Sequence, residues 1–163
     1  MKSGLTLITE ERLRHIDKGY TPSHDDQHKT GEIVAAARCY ALLAETQNPG
    51  HGWTKAMVED HIFENEEWPW DSEDWKPSES QTQNLIKAGA MIAAEIDRLH
   101  RLDYHHRRSD LNASGTRTYG ECPSCKGGIL VSDGSGTKCV DCKERFYTKQ
   151  YARGDYMEDD DDE

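Results

Sequence analysis

Two pairs of cysteines, Cys122-Pro-Ser-Cys125 and Cys139-Val-Asp-Cys142, stand thirteen residues apart near the end of the chain. No other feature constrains the fold as tightly. A CxxC turn points two thiols at one place, and two such turns complete a tetrahedral four-thiolate site for Zn²⁺ with no position left open. Gly127 and Gly128 follow the first pair, and Ile129-Leu130-Val131 reads as a strand. Gly134 and Gly136 make a turn, and Phe146-Tyr147 reads as a further strand. The pattern predicts a β zinc ribbon over residues 121–150. A module this small cannot bury a sufficient core, and a structural metal takes its place. Disulfides are not expected, because the opening MKSGLTLITEERLRHI has no apolar signal core and no small-residue cleavage site. A closed zinc marks a binding platform rather than a reaction centre. Lys126, Lys138, Lys143, Arg145 and Lys149 give that platform charges that suit phosphate or an acidic protein surface.

Upstream, the periodicity predicts a mainly α fold, a small domain of three to four helices over residues 1–108. A first helix is expected from Thr9, as N-cap, to Lys18, with Gly19 stopping it. A second is expected from Thr30 to Glu45, carrying an Ile33, Ala37, Tyr40, Ala44 stripe. Residues 53–66 suit a short helix, and Glu66–Pro77, with Trp68, Trp70 and Trp75, an ordered loop. The longest helix is expected over Glu79–His106, opened by a Ser78/Gln81 capping box. Its main apolar stripe reads Leu85, Gly89, Ile92, Ile96, Leu99. Glycine inside a helix costs about 1 kcal/mol against alanine, so a close helix crossing is expected at Gly89. Cys39 reads as a buried, inert thiol. Residues 109–120 (SDLNASGTRTYG) read as a linker. The alanine-rich faces leave room for a homodimer.

Charge divides the chain into three blocks. The net charge of -11 is made of -9 over residues 1–97, +5 over 98–154 and -7 over 155–163. The last block predicts a disordered acidic tail over 151–163, since like charges in a row repel. The acidic total argues against general coating of nucleic acid, while the basic stretch keeps a local contact open. No apolar run approaches the roughly 18–20 residues of a membrane span, so a soluble, cytoplasmic protein without a membrane partner is expected.

The segment Gly19-Tyr20-Thr21-Pro22-Ser23-His24-Asp25-Asp26-Gln27-His28 holds two His and two Asp within five positions, and Glu32 follows. Three uses fit these residues. His24, Asp25, Asp26, His28 and Glu32 offer N and O donors to a second divalent metal. They also suit hydrogen bonds to a polar ligand, with Trp68, Trp70 and Trp75 as a stacking wall. Lastly, the acids can simply cap a helix. Lys87 sits beside the apolar stripe and reads as a snorkelling stem or a ligand contact.

Several segments together resemble a family of small phage and prophage proteins. They are Glu11-Arg12-x-Arg14-x-Ile16, Gly19-Tyr20-Thr21-Pro22-x-His24-Asp25-Asp26, Gly31-Glu32-x-x-x-Ala36-Ala37-x-x-Tyr40-Ala41, Trp68-Pro69-Trp70, Trp75-Lys76-Pro77 and Leu85-Ile86-Lys87-Ala88-Gly89-Ala90-x-Ile92-x-Ala94-Glu95-Ile96-x-Arg98-Leu99. The resemblance covers roughly residues 9–102, with the ribbon and tail as additions. It implies an accessory protein working in the host cytoplasm and carries no reaction. Some relatives resemble companions of all-α nucleotide pyrophosphohydrolases, but the paired ExxE and ExxD motifs of those enzymes are not reproduced by Glu32, Glu95 and Asp97. The sequence therefore leads to a non-enzymatic protein that binds a host protein or a small nucleotide-like ligand. Two alternatives stand beside it. One is a metal-dependent nucleotide or phosphoester hydrolase built on the His24–His28 loop. The other is a nucleic-acid-binding regulator acting through residues 98–154.

Overall fold

The computed structural model describes residues 1–48, 50–132 and 136–147. It is largely helical, with a small four-stranded sheet near its C-terminal end. The acidic tail expected over 151–163, the turn at Gly134 and the last residues of the expected ribbon lie outside the described residues. The chain divides into two compact units, Met1–Leu99 and His100 onward.

The first unit opens with α1 (Gly4–Asp17). Ser3, not Thr9, caps it: the Ser3 hydroxyl accepts from the Thr6 N–H at 3.1 Å. The Thr9 hydroxyl instead donates to the Leu5 carbonyl one turn back at 2.9 Å, a bond open to threonine inside a helix. At the other end Gly19 has φ +98°. This left-handed turn lets the Tyr20 N–H return to the His15 carbonyl at 3.0 Å, closing the helix. The segment expected to be a plain loop contains one helical turn, α2 (Pro22–Asp25), capped by the Thr21 hydroxyl. Pro22 supplies a preset φ at its first position.

Helix α3 (Glu32–Thr46) follows. Its predicted stripe of Ile33, Ala37, Tyr40 and Ala44 is buried. Helix α4 (Lys55–Glu64) starts at a Thr54 cap. Val58 and Ile62 of α4 meet Ala36, Cys39, Tyr40 and Leu43 of α3, together with Trp68 and Ala88, in one core. Cys39 is buried, donates to the Glu67 carbonyl at 3.5 Å, and its thiol is pushed up to about 11 by burial. It is inert at neutral pH.

Helix α5 (Gln81–Ala113) is longer than the sequence suggests. Ser80, rather than Ser78, accepts from the first turn, from the Gln83 N–H. Residues 109–113 are helical and β1 begins at Thr118, so little of the expected linker is irregular. The buried face of α5 is also not the one the apolar periodicity picks out. Asn84, Ala88, Ala90, Ala94, Glu95 and Arg98 are buried, while Leu85, Ile92, Ile96 and Leu99 stay 46–50 % exposed. Asn84 is sealed by bonds to both backbone groups of Ser78 at 2.8 Å and to Gln47 at 3.1 Å. Glu95 and Arg98 pair bidentately at 2.7 and 2.8 Å. Gly89 meets its expectation: a Cβ there would stand 2.7 Å from Ile8 Cδ1, so α1 and α5 cross where only glycine leaves room.

In the second unit β1 (Thr118–Glu121), β2 (Ile129–Ser132), β3 (Gly136–Cys139) and β4 (Arg145–Tyr147) form an antiparallel meander in sequence order. The C-terminal part of α5 is tied to this sheet. Arg107 donates to Asp141 at 2.5 Å, and Arg108 Nε to the Thr118 hydroxyl at 3.3 Å. No helix among the described residues is long and apolar enough to cross a membrane.

Candidate metal centre and ligand cavity

The four cysteines come together as their spacing predicts. Their sulfurs all lie within 4.8 Å of one another, with Cys122–Cys142 and Cys125–Cys139 each at 3.7 Å. Four sulfurs around a zinc at about 2.3 Å sit about 3.8 Å apart, whereas a disulfide needs about 2.05 Å. The donor set and spacing therefore fit a four-thiolate metal site.

Both knuckles are built alike. Lys126 and Lys143, each directly after a second cysteine, take positive φ (47° and 66°). The Lys126 N–H closes the first turn onto the Cys122 carbonyl at 2.9 Å, and the Cys139 N–H reaches the Glu144 carbonyl at 2.9 Å. Burial raises the Cys139 thiol, but the backbone N–H groups of Cys142 and Asp141 and its thiol neighbours outweigh it, to about 7. Sequence reasoning gave Gly128 no role. A Cβ there would stand 2.3 Å from Cys139 Sγ and 2.8 Å from Cys125 Sγ. The sulfurs pack against bare backbone, and only the glycine after the first knuckle signalled it.

A second site lies wholly within the first unit, a cavity of about 340 Å³. Helix α1 presents Arg12, Arg14, His15 and Lys18 to it, the α2 segment Tyr20, His24, Asp25 and His28, and α3 Ile33 and Tyr40. The tryptophan loop adds Trp68, Trp70, Asp74 and Lys76, and α5 adds Lys87, Met91 and Ala94. The wall is a chain of rings in edge contact. Tyr20 to His24 is 5.3 Å between centroids, His24 to His28 5.0 Å, His28 to Trp70 5.3 Å and Trp70 to Trp68 5.3 Å.

The charges are arranged around this wall. Arg12 and Asp25 form a buried ion pair, and Arg12 Nη1 also donates to the Tyr20 carbonyl at 3.2 Å. Glu11 is bound by Arg14 and lies 3.2 Å from His15. Its bond to Arg14 holds the Glu11 carboxyl below the usual range, and burial pushes the His15 imidazole down. Lys87 donates to the Lys76 carbonyl at 2.5 Å and stands 5.3 Å over the Tyr40 ring. Burial pushes its ammonium down. Three further nitrogens, Arg12 Nε, His24 Nδ1 and Trp70 Nε1, are shut off from solvent and meet no hydrogen-bond partner among the described residues.

Of the residues singled out in the sequence, His24, Asp25, His28, Trp68, Trp70 and Lys87 line this cavity. Asp26, Glu32 and Trp75 do not. Glu32 accepts from the Thr30 N–H at 2.8 Å. Asp26 and Glu32 both lie in the field of Arg98. Trp75 stacks on Tyr40 at 4.7 Å and donates to Glu59 at 3.0 Å, which makes it part of the wall behind. Asp25 is thus spent on Arg12 and Glu32 on the Thr30 backbone. Among the described residues the cysteines alone form a group of three or more metal-ligand side chains. Of the other cavity residues, Arg12, Arg14, His15, Lys18 and Lys76 were not singled out as ligand contacts by the sequence reading. Their one signal was the basic last turn of α1, which reads equally well as a dipole match. No protein-family model, no curated protein and no solved structure matches this chain.

Proposed function

We propose that the protein is a non-enzymatic accessory protein of the phage kind its sequence resembles. It binds a small nucleotide-like ligand in the helical unit and uses a zinc-held ribbon to meet a host protein, modulating host metabolism or defence. The observation that carries this reading is the cavity. A chain of net charge -11 lines one 340 Å³ hollow with Arg12, Arg14, Lys18, Lys76 and Lys87, beside a wall of rings. Cations around aromatic faces suit a flat ring bearing negative charge. The zinc is supported by the sulfur spacing and is structural, since four thiolates leave no open position. The homodimer belongs to the same proposal, supported by the half-exposed Leu85, Ile92, Ile96 and Leu99.

The alternatives have less behind them. The hydrolase needs carboxylates free to hold a metal, and Asp25 is committed to Arg12. The nucleic-acid reading draws on Arg107, which is engaged by Asp103 and Asp141. A native mass spectrum of the purified protein tests the proposal. One zinc per chain with an added small-molecule mass is expected. Two metals per chain would overturn it in favour of the hydrolase.

A further inference from the structure

The cations of the cavity sort into matched and unmatched. Arg12 is paired with Asp25, Arg14 with Glu11, and Lys76 lies 3.9 Å from Asp74. Lys18 and Lys87 have no carboxylate within 4.0 Å among the described residues. Lys87 is the more telling. Its stem is half-buried, it faces the hollow from α5, and its nitrogen has only a carbonyl and the Tyr40 ring for company. The charged groups that act on it are Glu11, Arg14 and Lys18. The single acid among them is already held by Arg14 and His15. Two positive charges are therefore left over beside the hollow. A phosphate monoester carries about -1.5 to -2 at pH 7 and matches them. A triphosphate brings a surplus of negative charge with no cation to meet it. Size points the same way, since 340 Å³ is near the low end of the roughly 300–1,000 Å³ of small-molecule sites.

Resting on the nucleotide-like reading above, we propose that the ligand is a nucleoside monophosphate or a similar single-phosphate ester, its phosphate seated against Lys87 and Lys18. The ring lies along the wall of Tyr20, Trp70 and Trp68. Ammonium groups suit this task as compact point charges for phosphate.

Titration calorimetry of the full zinc-loaded chain tests this with the four common ribonucleosides, their 5′-monophosphates and their 5′-triphosphates. At least one monophosphate is expected to bind about tenfold or more tighter than its nucleoside, the value of one charged hydrogen bond. The corresponding triphosphate is expected to bind no tighter than the monophosphate. Lys87→Met is expected to bring the affinity for the monophosphate down to that of its nucleoside, both measured on the same variant. Lys18→Met, at an exposed site that the fold does not need, is expected to act in the same direction and less. Equal binding of nucleoside and monophosphate, or a triphosphate about tenfold tighter, would overturn the single-phosphate inference while the ring-binding cavity stood. Failure of every compound to bind would overturn the nucleotide-like reading itself.

Discussion

The two units reach a defined structure by different physics. In the second, the buried cluster is Cys122, Leu130 and Cys139, with Phe146 packed on it, so two of its three members are sulfur donors. In the first, eight buried residues from three helices and the tryptophan loop share the work, and the surrounding buried charges are paired. One unit concentrates its stability at a point, and the other spreads it. A point can be removed in a single step, whereas a spread core gives way in increments.

The largest expected effect is metal removal. Structural zinc is worth about 10–16 kcal/mol apparent at neutral pH. A strong chelator is expected to abolish the strands over residues 118–147 and leave the helices of the first unit. Amide resonances assigned to the two units check this, and joint melting of both would break the comparison. Next is Arg12→Ala, which leaves Asp25 buried without its partner. About 3–5 kcal/mol of stability should go, read by urea denaturation, with zinc content unchanged. Smaller is Gly128→Ala. The sulfurs have to move aside for the new Cβ, an overpacking cost of about 1–3 kcal/mol. Zinc competition should show weaker binding, with no change in the first unit.

The smallest effect is acid sensitivity of the first unit, best measured on chelated protein. His15 is pushed below its ordinary 6.5 by burial, so the unfolded chain takes that proton first. Stability is complete above pH 6.5 and falls as the pH drops below it. Glu11 is lowered from 4.5 by Arg14, and its contribution is lost in turn as pH falls below the ordinary carboxylate range. The denaturation midpoint should decline from pH 7 to 5, and His15→Gln should flatten that first decline. A midpoint independent of pH would show that neither group is linked to folding.

The cysteine cluster was legible because its four thiols sit on two short turns close in sequence, and four thiols spaced to fit one ion can meet in few ways. The stripe on α3 was legible because its buried residues are apolar and share one face. On α5 the same reasoning chose Leu85, Ile92, Ile96 and Leu99, and the structure buries Asn84, Glu95 and Arg98 instead. Periodicity scores apolar side chains, and cannot see that a polar one will meet its partner across the fold. The cavity was half legible. His24, Asp25 and the tryptophans stand out as a dense local pattern. Lys18 and Lys87 are far apart in sequence, and each alone resembles an ordinary solvated helix charge. Only the α1–α5 crossing at Gly89 and Ile8 brings their helices to one hollow.

The chain of edge-packed rings has an optical consequence. All four tryptophans fall between residues 53 and 75, and the ribbon has none. Trp68 stands nearly perpendicular to Trp70, at 88°, and 4.9 Å from Trp75. Indoles this close share their excited states, so their emission and near-ultraviolet dichroism respond to small shifts in packing. Trp68 and Trp70 border the cavity, and filling it should change the tryptophan spectrum. Stripping the metal should leave that spectrum as it was, so the protein carries its own dye for one of its two halves.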